Sequence, residues 1–86
     1  IEFLYDTDAA LLGWDLQEAG NQEEYGRIPI HEVLIPHMGM PIVDNANFER
    51  LSQVCAEYSR YEFQIVIAPL IVVGGTGSPV NPIATF

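Results

Sequence analysis

Residues 29–45 read PIHEVLIPHMGMPIVDN, and this stretch predicts the helix and the strand that set the fold. Pro29 suits the first turn of a helix, where its missing N–H group loses no partner. Pro36 cannot continue a helix, so the pattern predicts a short helix over residues 30–35. The apolar run that follows predicts a strand of four or five residues that ends at Asp44. Because sites are built at strand ends, Asp44 is a candidate functional residue.

The segments on either side of this stretch predict an alternation of strands and helices. Before it, AALLGWD (9–15) predicts a buried strand and LQEAGNQEEYGR (16–27) predicts a loop or frayed helix. After it, an amphipathic helix is predicted over 48–58, followed by a long central strand in YEFQIVIAPLIVV (61–73) that is covered on both faces and has a break at Pro69. A glycine loop and a short closing strand end the chain. Such alternation is typical of an α/β fold. Since few helices are available to cover the apolar strands, we expect a homo-oligomer or association with an N-terminal complement.

The composition excludes two classes of partner. The chain has 86 residues, enough for one small domain. Twelve acidic residues and three arginines give a net charge of −9, which repels the phosphates of nucleic acids and anionic lipids. The longest apolar run, residues 63–73, is too short for the roughly 20 residues that cross a bilayer. We therefore expect no nucleic acid and no membrane partner.

The single cysteine and the first residues bear on the cellular compartment. Cys55 is the only cysteine, so an internal disulfide is excluded, and its place in an apolar helical pattern predicts a core position. Residues 1–8, IEFLYDTD, carry acids where a secretory signal carries Lys or Arg, so we expect a targeting segment to be absent or removed. These features predict a cytoplasmic protein.

Three stretches occur in an order that resembles one protein family. They are HEVLIPHMGMPIVDN (31–45), FERL (48–51) and YEFQIVIAPLIVVGGTGSPVNPIATF (61–86). Together they resemble the C-terminal part of the cyclase family, the metal-dependent hydrolases that include kynurenine formamidases and isatin hydrolases. The resemblance covers residues 8–86. It implies the C-terminal portion of a cyclase-type α/β domain, a mixed β-sheet or barrel with flanking helices of the swivelling β/β/α kind.

The resemblance also implies a divalent metal site. The family's N-terminal motif, His-x-Gly-Thr-His-x-Asp-x-Pro-x-His, supplies most ligands and does not occur in these residues. We therefore expect residues 1–86 to be the C-terminal portion of a single domain, as a fragment, a processed piece or one half of a split protein. His31 and Asp44 correspond to the family's second pair of ligands, with Asp where Glu is usual. An imidazole and a carboxylate suit Zn²⁺ or Mn²⁺ and complete a site begun by other ligands.

Other interpretations of the same side chains stay open at this point. His37 is the competing histidine, and outside the resemblance either histidine is an ordinary, partly buried side chain. Asp44 also fits an Asx turn before the next helix. Trp14 fits the core or the edge of a substrate site. Ser78 is expected to be a hydrogen-bonding residue of the glycine loop, since no histidine stands at a spacing that marks it as its base.

Two functions from different classes fit these observations. The first is hydrolysis of a small cyclic or acyclic amide or lactone by the complete protein, with His31 moving protons and the chain alone inactive. The second is a non-catalytic assembly piece that uses its apolar strands to associate.

Overall fold

The computed structural model describes residues 1–18 and 29–86 and contains helices and small sheets. The predicted mixed α/β class is therefore confirmed. The chain divides into two compact units, Ile1–Phe48 and Glu49–Phe86. The predicted loop or frayed helix over 16–27 lies largely outside the described residues, and its first three residues have no regular secondary structure.

Two short parallel strands and two helices form the described part of the N-terminal unit. These elements are α1 (Glu2–Asp6), β1 (Leu12–Gly13), α2 (Ile30–Met38) and β2 (Ile42–Val43). In the parallel pair Leu12 lies opposite Ile42, and Gly13 lies opposite Val43. Both strands fall inside the stretches predicted for them, although each has only two residues, and α1 was not predicted. Parallel strands need a long crossover connection, and α2 lies within it.

Helix α2 extends three residues beyond the predicted end at residue 35, because Pro36 is accommodated inside it. The helix instead ends at Gly39, whose φ of 63° is left-handed and favours glycine. There the N–H groups of Gly39 and Met40 donate to the carbonyls of Ile35 and Leu34, at 3.2 and 2.9 Å. The first bond is that of an αL cap, and together the two bonds offset the bond that Pro36 cannot make.

The core of the N-terminal unit is small and centres on α2. Ile30, Leu34 and Met40 are buried, and Leu34 is completely inaccessible to solvent. The partly buried side chains around them are Leu4, Ala9, Leu12, Trp14, Met38 and Ile42. Because this cluster joins the helix to residues of both strands, it fixes the start of α2 beside the ends of β1 and β2.

The C-terminal unit has a helix and an antiparallel strand pair among its elements. They are α3 (Glu49–Tyr58), β3 (Gln64–Val66) and β4 (Ile83–Thr85). Helix α3 confirms the predicted amphipathic helix, and Cys55 is buried as predicted. In the strand pair Gln64 lies opposite Thr85 and Val66 lies opposite Ile83. Strand β4 confirms the predicted closing strand.

The prediction of a long central strand over residues 61–73 was wrong. Only β3 is a strand there, it pairs with β4 alone among the described residues, and all three of its residues are exposed. Pro69 was predicted to break the strand. Directly after it, the N–H of Leu70 donates to Ser78 Oγ of the glycine loop at 3.0 Å instead of to a neighbouring strand. Ile71 and Val73 are 99% exposed, so the expected cover on both faces is missing from the described structure.

Truncating Leu34 tests whether α2 anchors the N-terminal unit. Leu34→Ala removes a fully buried side chain and should lower the free energy of unfolding by about 2–5 kcal/mol. Ile35→Ala is the matched control. The Ile35 side chain is next to Leu34 in the sequence but 52% exposed, so truncating it should lower the free energy of unfolding much less. Urea unfolding followed by Trp14 fluorescence measures both. Equal losses for the two variants would contradict this description of the core.

Candidate functional site

The parallel strands bring two side chains to the same edge of the N-terminal unit. Trp14 directly follows β1 and Asp44 directly follows β2. The N–H of Trp14 donates to the Val43 carbonyl at 3.1 Å, and the N–H of Ala46 donates to the Trp14 carbonyl at 2.9 Å. These backbone bonds continue the pairing past the strands. They therefore hold the Trp14 and Asp44 backbones at a fixed separation.

Four side chains form a hydrogen-bonded group at this edge, which we call the His31 cluster. Its members are Trp14, Glu18, His31 and Asp44. His31 comes from the first turn of α2, and the other three come from the segments after β1 and β2. The cluster therefore depends on how α2 packs beside the two strands.

The imidazole of His31 lies between two carboxylates. Its Nδ1 is 2.7 Å from Glu18 Oε2, and its Nε2 is 2.8 Å from Asp44 Oδ2. The backbone N–H of His31 also donates to Glu18 Oε2, at 3.1 Å. Because the carboxylates face opposite ring nitrogens, a protonated His31 can donate to both at once.

Asp44 occupies a turn and also belongs to the His31 cluster. It lies in the turn after β2, where Asn45 has a left-handed φ of 51°. Its side chain also accepts a hydrogen bond from Trp14 Nε1–H at 2.6 Å through Oδ1, while Oδ2 faces His31. Both of its oxygens are therefore held in position.

The charges in the cluster shift two pKa values in opposite directions. The hydrogen bond to Asp44, and then that to Glu18, raise the pKa of His31 above its ordinary 6.5. Partial burial works to raise the pKa of Asp44, but the hydrogen bonds from His31 and Trp14 and the positive charge of His31 together outweigh it. The pKa of Asp44 therefore falls below its ordinary 3.8. An imidazolium between carboxylates is the favoured state of the cluster in mildly acidic solution.

The structure brings His31 and Asp44 together, across 13 residues of sequence. It places His37 elsewhere, exposed near the C-terminal end of α2 and outside the cluster. Trp14 belongs both to the partly buried shell of the core and to the cluster. Sequence reasoning missed Glu18, which stands in a polar stretch without period. The one signal for Glu18 was its position: it follows β1 in the sequence, and β1 pairs with β2, the strand that precedes Asp44.

Ser78 lies in the C-terminal unit and forms hydrogen bonds within the glycine loop. Its Oγ accepts from the N–H of Leu70 and donates to the carbonyl of Pro79, at 3.0 and 3.2 Å. The expectation of a hydrogen-bonding loop residue is confirmed. These contacts tie the two ends of the loop together.

The donors of the cluster suit part of a metal site. Within residues 1–18 and 29–86, no group of three or more His, Cys, Asp or Glu side chains is arranged to hold a metal ion. Two donors of one zinc ion lie roughly 3.0–3.5 Å apart, given bond lengths near 2.1 Å. His31 Nε2 and Asp44 Oδ2 are 2.8 Å apart, the distance of a hydrogen-bonded pair. To bind one zinc ion, the two atoms would have to move slightly further apart. The pair fits a metal as two ligands that need others.

No protein-family model, curated protein or solved structure matches this chain. The resemblance to the cyclase family therefore depends on the quoted sequence motifs alone. Among the described residues, no helix has the length and apolar character needed to cross a membrane.

The His31 cluster predicts a pH window for stability. The pKa of His31 is raised on folding, so its contribution is complete below about 6.5 and is lost as the pH rises through the folded value. The pKa of Asp44 is lowered, so its contribution is complete above about 3.8 and is lost as the pH falls through the folded value. Thermal unfolding should therefore show a higher Tm between pH 3.8 and 6.5 than in alkaline solution.

Two variants separate this effect from the general charge of the protein. His31→Gln should reduce the loss of Tm between mildly acidic and alkaline solution. His37→Gln, at the exposed histidine outside the cluster, should leave that loss as it is. An undiminished loss in His31→Gln would show that the cluster does not cause it.

Proposed function

We propose that this chain is the C-terminal part of a cyclase-type, metal-dependent hydrolase that acts on small cyclic or acyclic amides or lactones. The observation that supports this proposal most is the pairing of His31 Nε2 with Asp44 Oδ2 at 2.8 Å. The proposed fold is the C-terminal portion of the family's mixed sheet with flanking helices. The resemblance of residues 8–86 to that family supports the same reaction class.

The exposure of the pair agrees with a role in binding a small molecule. The side chains of His31 and Asp44 are 30% and 31% exposed, so each is held by neighbours and still reachable from solvent. In this proposal His31 acts either as a metal ligand or as the residue that takes or returns a proton during hydrolysis, and in the second role Asp44 holds the charged ring in place. Trp14 supports Asp44 through its indole N–H.

The metal in this proposal is Zn²⁺ or Mn²⁺, with His31 and Asp44 as two of its ligands. When bound, such an ion lowers the pKa of water and polarises a carbonyl group. Because the pair provides only two donors, the remaining ligands are assigned to a segment bearing the family's His-x-Gly-Thr-His-x-Asp-x-Pro-x-His motif. The chain alone should then be inactive.

A serine nucleophile is the less suitable mechanism. The oxygen of Ser78 is already engaged with the Leu70 N–H and the Pro79 carbonyl. Activation of a serine needs a base within hydrogen-bond reach, and neither of its two contacts is a base. This loop therefore contributes structure to the proposed enzyme.

The proposal predicts hydrolysis only when the missing ligands are supplied. The chain should be assayed with Zn²⁺ or Mn²⁺ against N-formyl anilines, lactams and lactones, alone and together with a polypeptide that carries the histidine motif. Activity is expected in the combined sample, and His31→Ala should lower its rate at least tenfold because a ligand or proton carrier is lost.

The matched control is His37→Ala, which should retain the rate because His37 lies outside the cluster. An unchanged rate in His31→Ala would remove that residue from the site. Hydrolysis by the 86 residues alone would contradict the division of the ligands between two segments.

A second candidate function, assembly with another copy of the chain, is favoured by the surface of residues 63–86. This segment contains no charged residue, although the chain as a whole has a net charge of −9. Ile71 and Val73 are 99% exposed, and β3 and β4 each have an unpaired edge in the described sheet. An uncharged, apolar edge can pair with its own copy without charge repulsion.

Self-association through this segment predicts a monomer when charge is added to it. The double variant Ile71→Asp and Val73→Asp should lower the mass measured by sedimentation equilibrium from that of an oligomer to that of one chain. Ala10→Asp adds a like charge at an exposed residue of the other unit and should not change the mass. A wild-type monomer at all concentrations would contradict this function.

A further inference from the structure

Glu18 contacts His31 twice, through the ring Nδ1 and through the backbone N–H, and both contacts use Oε2. We propose that Glu18 is a positioning residue that keeps the proton of neutral His31 on Nδ1 and leaves Nε2 as the reacting nitrogen. This inference rests on the hydrolase function proposed above. It adds a residue that no motif in the sequence identified.

Two observations favour Glu18 over Asp44 as the carboxylate that keeps the ring proton. Its Oε2 contacts both the ring and the backbone N–H of His31, whereas Asp44 contacts the ring. Its side chain is less exposed, 16% against 31%, so water competes less for the hydrogen bond.

The two contacts from Glu18 also fix the ring relative to the helix. Because one oxygen binds both the backbone and the ring of His31, the imidazole cannot rotate without losing the ring contact. Nε2 then stays directed at Asp44, on the more exposed side of the cluster. A histidine that binds a metal through one nitrogen commonly donates its other N–H to a carboxylate, and Glu18 stands where that carboxylate is needed.

Nitrogen-15 NMR of the metal-free chain in alkaline solution tests the proposal directly. Long-range proton–nitrogen correlation spectra report which ring nitrogen of neutral His31 carries the proton. The wild-type protein and Asp44→Asn should both carry it on Nδ1. In Glu18→Gln the proton should move to Nε2, where the Asp44 carboxylate accepts it, because a neutral amide attracts the proton on Nδ1 less than a carboxylate does. Glu57→Gln, an exposed glutamate of α3, is the matched control.

A wild-type proton on Nε2, or a tautomer that Glu18→Gln leaves unchanged, would overturn the proposal. The first of these results is read on the wild-type protein, so it does not depend on whether a variant folds. Titration with Zn²⁺ of each variant, combined with the polypeptide that carries the histidine motif, gives a second readout. Glu18→Gln should bind Zn²⁺ about 10- to 100-fold more weakly than Glu57→Gln, and equal affinities would also overturn the proposal.

This experiment distinguishes the positioning role from the hydrolase function itself. The tautomer is read without substrate or metal. If the hydrolysis assay fails but the NMR spectra show that Glu18 determines the tautomer, only the proposed reaction is contradicted. A tautomer independent of Glu18 would contradict the positioning role, even where hydrolysis is observed.

Discussion

The interaction on which the candidate site of the N-terminal unit most depends is the bridge that His31 forms between Glu18 and Asp44. It connects the first turn of α2 to the segments that follow β1 and β2, and its two ring contacts are 2.7 and 2.8 Å. The small apolar core around Leu34 brings these elements together. The bridge then fixes the positions of the polar side chains at the edge of that core. A net charge of −9 would otherwise drive the acidic side chains apart, so a shared cation between two of them offsets a local repulsion.

The same bridge explains why one group can serve structure and chemistry. His31 and Asp44 are each about 30% exposed, which leaves them accessible while hydrogen bonds fix their orientation. A pair of this kind binds a cation by exchanging the proton between its nitrogen and oxygen for the ion. It needs further ligands, and this requirement links the proposed hydrolase function to a second protein segment. The uncharged residues 63–86 present a different kind of surface, one suited to association.

The sequence was informative where a local preference and the final packing agree. Asp44 follows a strand as predicted, and the periodic apolar residues of α3 form a helix over Glu49–Tyr58. Pro36 misled the prediction because the Gly39 cap and the burial of Leu34 and Met40 outweigh one missing hydrogen bond.

Residues 61–73 have the β-branched composition of a strand. That preference is for a packed, pleated surface, and among the described residues β4 is the only strand that pairs with β3. Glu18 was missed because a single carboxylate in a polar segment has no pattern, and its partner lies 13 residues away.

A double-mutant cycle between His31 and Asp44 tests the central claim most directly. The free energy of unfolding should be measured for the wild-type protein, His31→Ala, Asp44→Ala and the double variant in mildly acidic solution, where both groups are charged. The bridge predicts that the two losses are not additive, with a coupling energy of about 0.5 kcal/mol or more. Additive losses would contradict the account, because they would show that the two side chains do not interact in the folded protein.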